Sequence, residues 1–264
     1  MARPLQPEKV IDNWSGWGAG LRSRPVLVEM LSGGRSNHSF LLNSDIGKLV
    51  LRLNGPGSLL PGASRDCEYM IWQEASRHGI APPLVFVDAQ NQYLVSIYID
   101  NELPSKPHTN PTCIAQAFRL LDRCHQLDIN APAINYFDHI EHYWRIIEAA
   151  DQPPDPGLVK QSKPIELMLE SLLNSDDPWV LCHHDPVVAN FVGSPERLYL
   201  IDWEYAATGL QIMDYAALAV EWQIDDATVV QHAQCHPELL GLAREVYRYV
   251  CALWQQTTTR AQPG

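Results

Sequence analysis

The chain of 264 residues is 46% hydrophobic and 19% charged, and its 31 acidic against 19 basic side chains leave a formal net charge of −12. That length and composition suit one large domain or two lobes with real cores, while the acidic balance argues against nucleic acid and anionic lipid and favours cationic small molecules. No run approaches the roughly 18 apolar residues of a membrane span, and the N-terminus MARPLQPEKVIDNW lacks the apolar stretch of a secretory signal, so no membrane insertion and a cytoplasmic location are expected.

In chain order, PVLVEML (25–31) and HSFLLNS (38–44) read as strands separated by SGGRSN, and DIG makes a tight turn into a third strand, KLVLRLN (48–54). A loop, GPGSLLPGAS, precedes a helix from Arg65 to His78 that stops at Gly79. PLVFVD (83–88) and QYLVSIYID (92–100) look like a closing hairpin. The Pro-rich connector NELPSKPHTNP then marks a change of character. Apolar residues recur three and four apart over 113–127, 138–150, 164–174 and from Pro237 to Gln256, the signature of amphipathic helices. Two short strand-like pieces, WVLCH (179–183) and RLYLID (197–202), interrupt this half, and DQPPDPG (151–157) reads as a loop. The six cysteines form no CxxC pair, which suggests neither a disulfide framework nor a zinc knuckle.

Those two strand-like pieces carry the chemistry. Asp185 stands two residues after His183 and five before Asn190, and the second piece ends in Asp202, seventeen positions beyond Asp185. An H-x-D-x-x-x-x-N loop followed by a further Asp is the arrangement a kinase-type phosphoryl transferase needs, with one Asp to orient the attacking hydroxyl and Asn plus Asp to hold magnesium. Mg²⁺ prefers such hard oxygen ligands. In the first third, Ser32-Gly33-Gly34-Arg35-Ser36-Asn37 can bring backbone N–H groups close to phosphates. Arg52 ends the third strand where a phosphate-binding cation is expected, with Glu68 on the next helix as its carboxylate partner. A protein kinase carries Lys at that strand position, although the guanidinium fork suits phosphate well.

LSGGRSN, VLRLN, DCEYMIWQEA, HHDPVVAN and LIDWEYAATGLQIMDYAALAVEW together resemble the aminoglycoside phosphotransferase and choline kinase superfamily, nearest its choline, ethanolamine and thiamine kinase branch, over roughly residues 25 to 225. The resemblance implies an α+β, protein-kinase-like two-lobed fold. Residues 1–100 would form a nucleotide-binding lobe, an antiparallel sheet with one helix, and residues 101–264 a larger, mainly helical catalytic and substrate-binding lobe. It implies ATP and Mg²⁺ as cofactors, Asp185 as catalytic base or hydroxyl-orienting group, Asn190 and Asp202 as metal ligands, and Arg52 with Glu68 as a phosphate clamp. Gly33, Gly34, Ser36 and Asn37 would form the phosphate loop, which lacks a full G-x-G-x-x-G, and Tyr98, Ile99 and Asp100 the hinge that receives adenine.

The expected reaction is transfer of the γ-phosphate to a hydroxyl of a cationic metabolite such as choline, ethanolamine or thiamine. Carboxylates and aromatic faces stabilise such a cation, and Glu204, Tyr205, Glu221, Trp222, Trp144 and Trp254 are the candidates for its pocket. An amino-sugar antibiotic is the alternative acceptor. Two other classes compete: a metal-dependent phosphohydrolase, because His184-Asp185 is an HD doublet, and a nucleotide-binding regulator without catalysis. Pro186 argues against a helical HD site, and the presence of Asp185, Asn190 and Asp202 together argues against the regulator. His183, His184 and His125 are expected to be structural, and Asp214 to hydrogen-bond loop backbone or cap the helix that follows.

Overall fold

The computed structural model describes residues 5–18, 20–31, 37–55, 61–150 and 153–260. Strands β1 (Val26–Leu31), β2 (Asn37–Ser44) and β3 (Gly47–Asn54) follow a short helix, α1 (Pro7–Ile11); after helix α2 (Arg65–Arg77) come β4 (Leu84–Val87) and β5 (Tyr93–Ile97). They form one five-stranded antiparallel sheet in the order β1-β2-β3-β5-β4. The β2–β3 reversal is tight because Gly47 takes φ +114° and the Ser44 hydroxyl donates to its carbonyl at 2.6 Å.

Strand alternation decides which residues of this sheet reach the functional cleft. Leu49, Leu51 and Leu53 of β3 face a small core with Val10, Ile11 and Trp17 from the N-terminal segment. Their neighbours Val50 and Arg52 therefore face the opposite way, toward the cleft. The same parity sends Tyr93 and Val95 of β5 into that core and Leu94 and Ser96 to the cleft.

Helix α2 starts at Ser64, whose side chain accepts the Cys67 N–H at 3.1 Å. It ends at Gly79, whose φ of +63° favours glycine. Beyond the connector lie α3 (Pro111–His125), α4 (Tyr136–Glu148), α5 (Pro156–Leu173), β6 (Trp179–Cys182), β7 (Phe191–Ser194), β8 (Arg197–Leu200), β9 (Ala207–Leu210), α6 (Gln211–Glu221), α7 (Asp226–Ala233) and α8 (Pro237–Arg260). Asn110, Asn135, Asp155 and Asp225 cap α3, α4, α5 and α7 through side-chain oxygens. β6 pairs with β9 and β7 with β8, each as a two-stranded ladder.

The elements read from sequence are present, with three differences. α5 begins at Pro156, eight residues before the expected Pro164, because Asp155 caps it and Pro164 sits on an exposed face. The strand expected through Asp100 leaves the ladder at Ile97. α1, α7, β7 and β9 were not read as elements, and α6, expected only as a helix following Asp214, already begins at Gln211. The main core is continuous from Tyr69, Ile71 and Trp72 of α2, through Phe118 and Leu121 of α3, to Val246 and Leu253 of α8. The change of character near residue 101 thus separates kinds of element while one apolar core spans both. Among the described residues no helix is long and apolar enough to cross a membrane.

Candidate active site

β6 delivers the loop His183–Asn190 to the mouth of a cleft of about 630 Å³ between the sheet and the helical half. A buried carboxylate shapes this loop. Asp214, in the first turn of α6, accepts the His183 N–H at 2.8 Å, the His184 N–H at 2.7 Å and His125 Nε2 at 3.0 Å. Burial alone would raise its carboxyl. The His125 hydrogen bond, with the charges of His125, His184 and His183, overrides burial and holds it at about 2.

The two histidines of the doublet brace the loop. Burial pushes His183 down to about 4, so its ring is neutral and Nε2–H donates to the Ile201 carbonyl at 3.1 Å. His184 sits at φ +63°. The Tyr136 hydroxyl accepts the Leu210 N–H at 3.0 Å and shares a hydrogen bond with His184 Nε2 at 3.1 Å. Gly209 permits this approach, since a Cβ there would lie 2.5 Å from His184 Nε2 and 2.6 Å from the Tyr136 oxygen. Another set of metal-ligating side chains among the described residues, His125, Cys182 and Asp214, is fully buried and occupied by these contacts and by a Cys182 Sγ–H donating to the Leu210 carbonyl at 3.4 Å.

Asp185 and Asn190 face the cleft as a pair. The Asn190 amide nitrogen donates to Asp185 Oδ2 at 2.8 Å and to the Asp185 carbonyl at 2.9 Å. That commits its donors and leaves Asn190 Oδ1 as an available acceptor. Asp202, at φ +66° just past β8, is tied to the same loop because Ile201 N–H donates to the Asn190 carbonyl at 2.9 Å. Burial, then the charge of Asp202, lifts Asp185 to about 7 against the Asn190 hydrogen bond. Burial, then Glu204, lifts Asp202 to about 6, with Arg52 opposing. Two half-buried carboxylates facing one cleft, beside an amide oxygen, form a donor set that fits a hard divalent cation.

Across the cleft, Arg52 is 5% exposed and pairs with Glu68 Oε1 at 2.6 Å, with its other terminal nitrogen 3.7 Å from Asp202. Its guanidinium lies 5.5 Å from the Trp72 ring and 5.9 Å from that of Tyr69. Buried Nε and Nη1 have no hydrogen-bond partner among the described residues, so this cation lines the cleft with donors that fit phosphate oxygens.

A second arginine escaped the sequence reading. Arg65 pairs with the other Glu68 oxygen at 2.7 Å, reaches Glu204 at 3.5 Å and donates to Asn37 Oδ1 at 3.0 Å. Asn37 in turn donates to Glu204 at 3.3 Å. Asn37, expected in the phosphate loop, therefore acts as a buried strut between β2 and the Glu204 turn, still at the edge of the cleft. The i,i+3 spacing of Arg65 and Glu68 was visible in the chain, but nothing in it pointed to Glu204, 139 residues away. Gly33, Gly34 and Ser36 lie outside the described residues.

Leu31, Val50, Tyr98 and Ile99 from the sheet half and Val192 and Ile201 from the helical half also line the cleft. Asp100 does not join them; it forms an exposed pair with Lys48 at 2.7 Å. Glu204, Tyr205, Glu221 and Trp254 line the cleft as well, joined by Tyr143, Tyr247 and His139, which were not anticipated. The Tyr247 hydroxyl donates to Glu221 at 3.0 Å. Burial, then His184 and His142, pushes His139 down to about 3, which keeps its ring uncharged. Two expected aromatics are elsewhere. Trp222 follows Glu221 at the α6 C-terminus, where one residue turns the side chain by about 100°, and it is fully buried edge-on to Phe191. Trp144 donates from Nε1 to the Tyr249 hydroxyl at 3.2 Å, among the helices and away from the cleft.

The chain is similar to known proteins. Protein LicA of Haemophilus influenzae is 27% identical over 195 residues, which cover 72% of this chain and 56% of that protein. The chain thus spans little more than half that relative's length. A choline/ethanolamine kinase family protein from Mesorhizobium loti superposes with a TM-score of 0.76 at 20% identity, covering 97% of this chain and 88% of that one. Choline kinase LicA from Streptococcus pneumoniae does so with a TM-score of 0.76 at 19% identity, over 98% and 93%. The fold is therefore the kinase-like α+β architecture expected. The profile described as the phosphotransferase enzyme family matches residues 28–249, which take in β2 with Asn37, Arg52, Glu68, the Asp185 loop and Asp202, and the chain belongs to that family.

Proposed function

We propose that this protein is an ATP-dependent kinase that phosphorylates a hydroxyl of a small cationic alcohol, choline and ethanolamine first among them. In this reading residues 1–100 hold the nucleotide and residues 101–264 hold the acceptor and the catalytic loop. The carrying observation is the convergence of Asp185, Asn190 and Asp202 on one side of a cleft whose other side presents the Arg52 guanidinium.

Leu31 and Val50 against Val192 and Ile201 make an apolar slot for a base beside the backbone of Tyr98 and Ile99. Arg52, fixed by Glu68, binds phosphate oxygens through its free donors. Asn190 Oδ1 and Asp202 are the residues that would hold magnesium, which supplies neutralisation of phosphate charge when bound. Asp185, its Oδ2 held by Asn190, orients the acceptor hydroxyl through Oδ1 and takes its proton. Glu204 and Glu221 set a negative potential at the acceptor end, and the Tyr143, Tyr205, Tyr247 and Trp254 rings add cation–π attraction of roughly 0.5–2 kcal/mol each. The neutral His139 adds no opposing charge.

The similarity to a choline/ethanolamine kinase family protein from Mesorhizobium loti and to a choline kinase from Streptococcus pneumoniae supports the choice of acceptor. The hydrolase reading of the HD doublet is disfavoured because His184 Nε2 is engaged by the Tyr136 hydroxyl at 3.1 Å. A coupled ADP-release screen over choline, ethanolamine, thiamine and amino sugars tests the proposal. Acceptor-dependent ADP release with a cationic alcohol is expected. Silence on every alcohol in protein shown to bind ATP and magnesium would refute it, and turnover confined to amino sugars would reassign the acceptor.

A further inference from the structure

A groove of about 500 Å³ lies away from the cleft, where the C-terminal end of α2, the exposed face of α3 and the β7–β8 turn meet. On a chain of net charge −12, four of the 19 basic residues converge there: Arg77, Arg119, Arg123 and Arg197. Their pairing is unequal. Arg77 is bound to Glu74 at 2.8 Å, as is the neighbouring His78 at 3.1 Å, and Arg123 donates to the His78 carbonyl at the end of α2. Arg119 forms no ion pair among the described residues, and the Arg197 guanidinium lies over the Tyr199 ring at 5.1 Å without a carboxylate partner. One acid, Glu196, shares the wall.

Arg119 and Arg123 stand four residues apart on α3, where like charges repel across one helical turn. Arg197 closes the same hollow from a different element, so the repulsion is three-sided. A compact multivalent anion relieves it, and guanidinium forks from separate elements grip phosphate oxygens with defined geometry. The concavity suits a small ligand enclosed by three walls rather than a flat membrane or an extended acidic surface. We propose that this groove is a second, anion-binding site for a small phosphorylated or pyrophosphate-bearing ligand, distinct from the nucleotide cleft. The site joins elements that carry the catalytic residues: α2 bears Glu68, and Leu200 of β8, two residues before Asp202, donates its N–H to the Ile80 carbonyl just past α2 at 2.8 Å. A bound anion would therefore fasten the end of α2 to the body of the helical half.

Calorimetric titration of the full chain with inorganic pyrophosphate in EDTA, without nucleotide, tests this. The expected result is saturable binding that Arg119→Ala/Arg197→Ala weakens at least tenfold and that Arg52→Met leaves unchanged. Both variants are checked by thermal melting, and pyrophosphate is expected to raise the melting temperature of wild type and of Arg52→Met only. Absence of saturable binding overturns the proposal. So does binding that survives the double substitution, or binding that Arg52→Met abolishes, because the anion would then occupy the cleft.

Discussion

Replacing Arg65 by Met removes a cation that nearly fills its own length with contacts. In the wild type the two Glu68 oxygens are divided between Arg52 at 2.6 Å and Arg65 at 2.7 Å, and Glu204 is held by Arg65 at 3.5 Å and Asn37 at 3.3 Å. Breaking a fully buried pair by deleting one partner costs roughly 3–5 kcal/mol. Here the Arg65 side chain is 12% exposed and Glu68 keeps Arg52, so about 2–4 kcal/mol is expected. For a chain of this size that corresponds to a fall in melting temperature of roughly 5–15 °C. Glu68, freed on one side, also loses its grip on the orientation of Arg52, and the KM for ATP should rise about tenfold, equivalent to about 1.4 kcal/mol. Denaturant unfolding of Arg65→Met, Glu204→Gln and the double variant gives the coupling, expected at about 1–2 kcal/mol. Additivity within about 0.5 kcal/mol would show that Arg65 does not bridge to Glu204, and an unchanged ATP KM would detach it from Arg52.

Three further outcomes follow from the same structure. Asp185→Asn keeps the hydrogen-bonding shape of the loop but loses the proton acceptor, so turnover should drop by about 10²–10⁴-fold while calorimetric ATP affinity stays near wild type; unchanged turnover removes Asp185 from the mechanism. Buried His183 titrates at about 4 in the fold against an ordinary value of 6.5. The unfolded chain therefore takes up that proton first, and the stabilisation is complete above about 6.5 and lost as pH falls toward 4, on the order of 3 kcal/mol; melting curves across this window should flatten in His183→Asn. Trp254→Ala should raise the acceptor KM with little change in stability. Trp222→Ala should instead cost about 3–5 kcal/mol of stability and leave acceptor selectivity alone, and the reverse pattern would contradict the placement of these two rings.

The meeting of Asp185, Asn190 and Asp202 at one cleft was legible because they sit in two short stretches, HHDPVVAN and IDWEYA, with a fixed internal spacing. The sheet was legible for a related reason: period-two alternation in KLVLRLN puts Arg52 opposite the leucines of the small core, and Arg52 does face the cleft. What stayed hidden depends on partners distant in sequence. Trp222 at the end of α6 and Trp254 within α8 are the same residue type, and only the packing against Phe191 tells the buried ring from the one on the cleft wall. Asn37 looked like part of a glycine-rich loop because its neighbours are, yet its bonds run to Arg65 and Glu204. Tyr143, Tyr247 and His139 lie on helices whose periodicity announced an apolar face without showing that part of it would border the cleft.

The most direct test of the central claim is ³¹P NMR of the products formed from ATP, magnesium and a choline–ethanolamine mixture, run with wild type and Asp202→Asn. Equal amounts of ADP and a new phosphomonoester of one alcohol, absent with Asp202→Asn, are predicted. Inorganic phosphate as the sole product, or a phosphomonoester formed equally well by Asp202→Asn, would contradict the account.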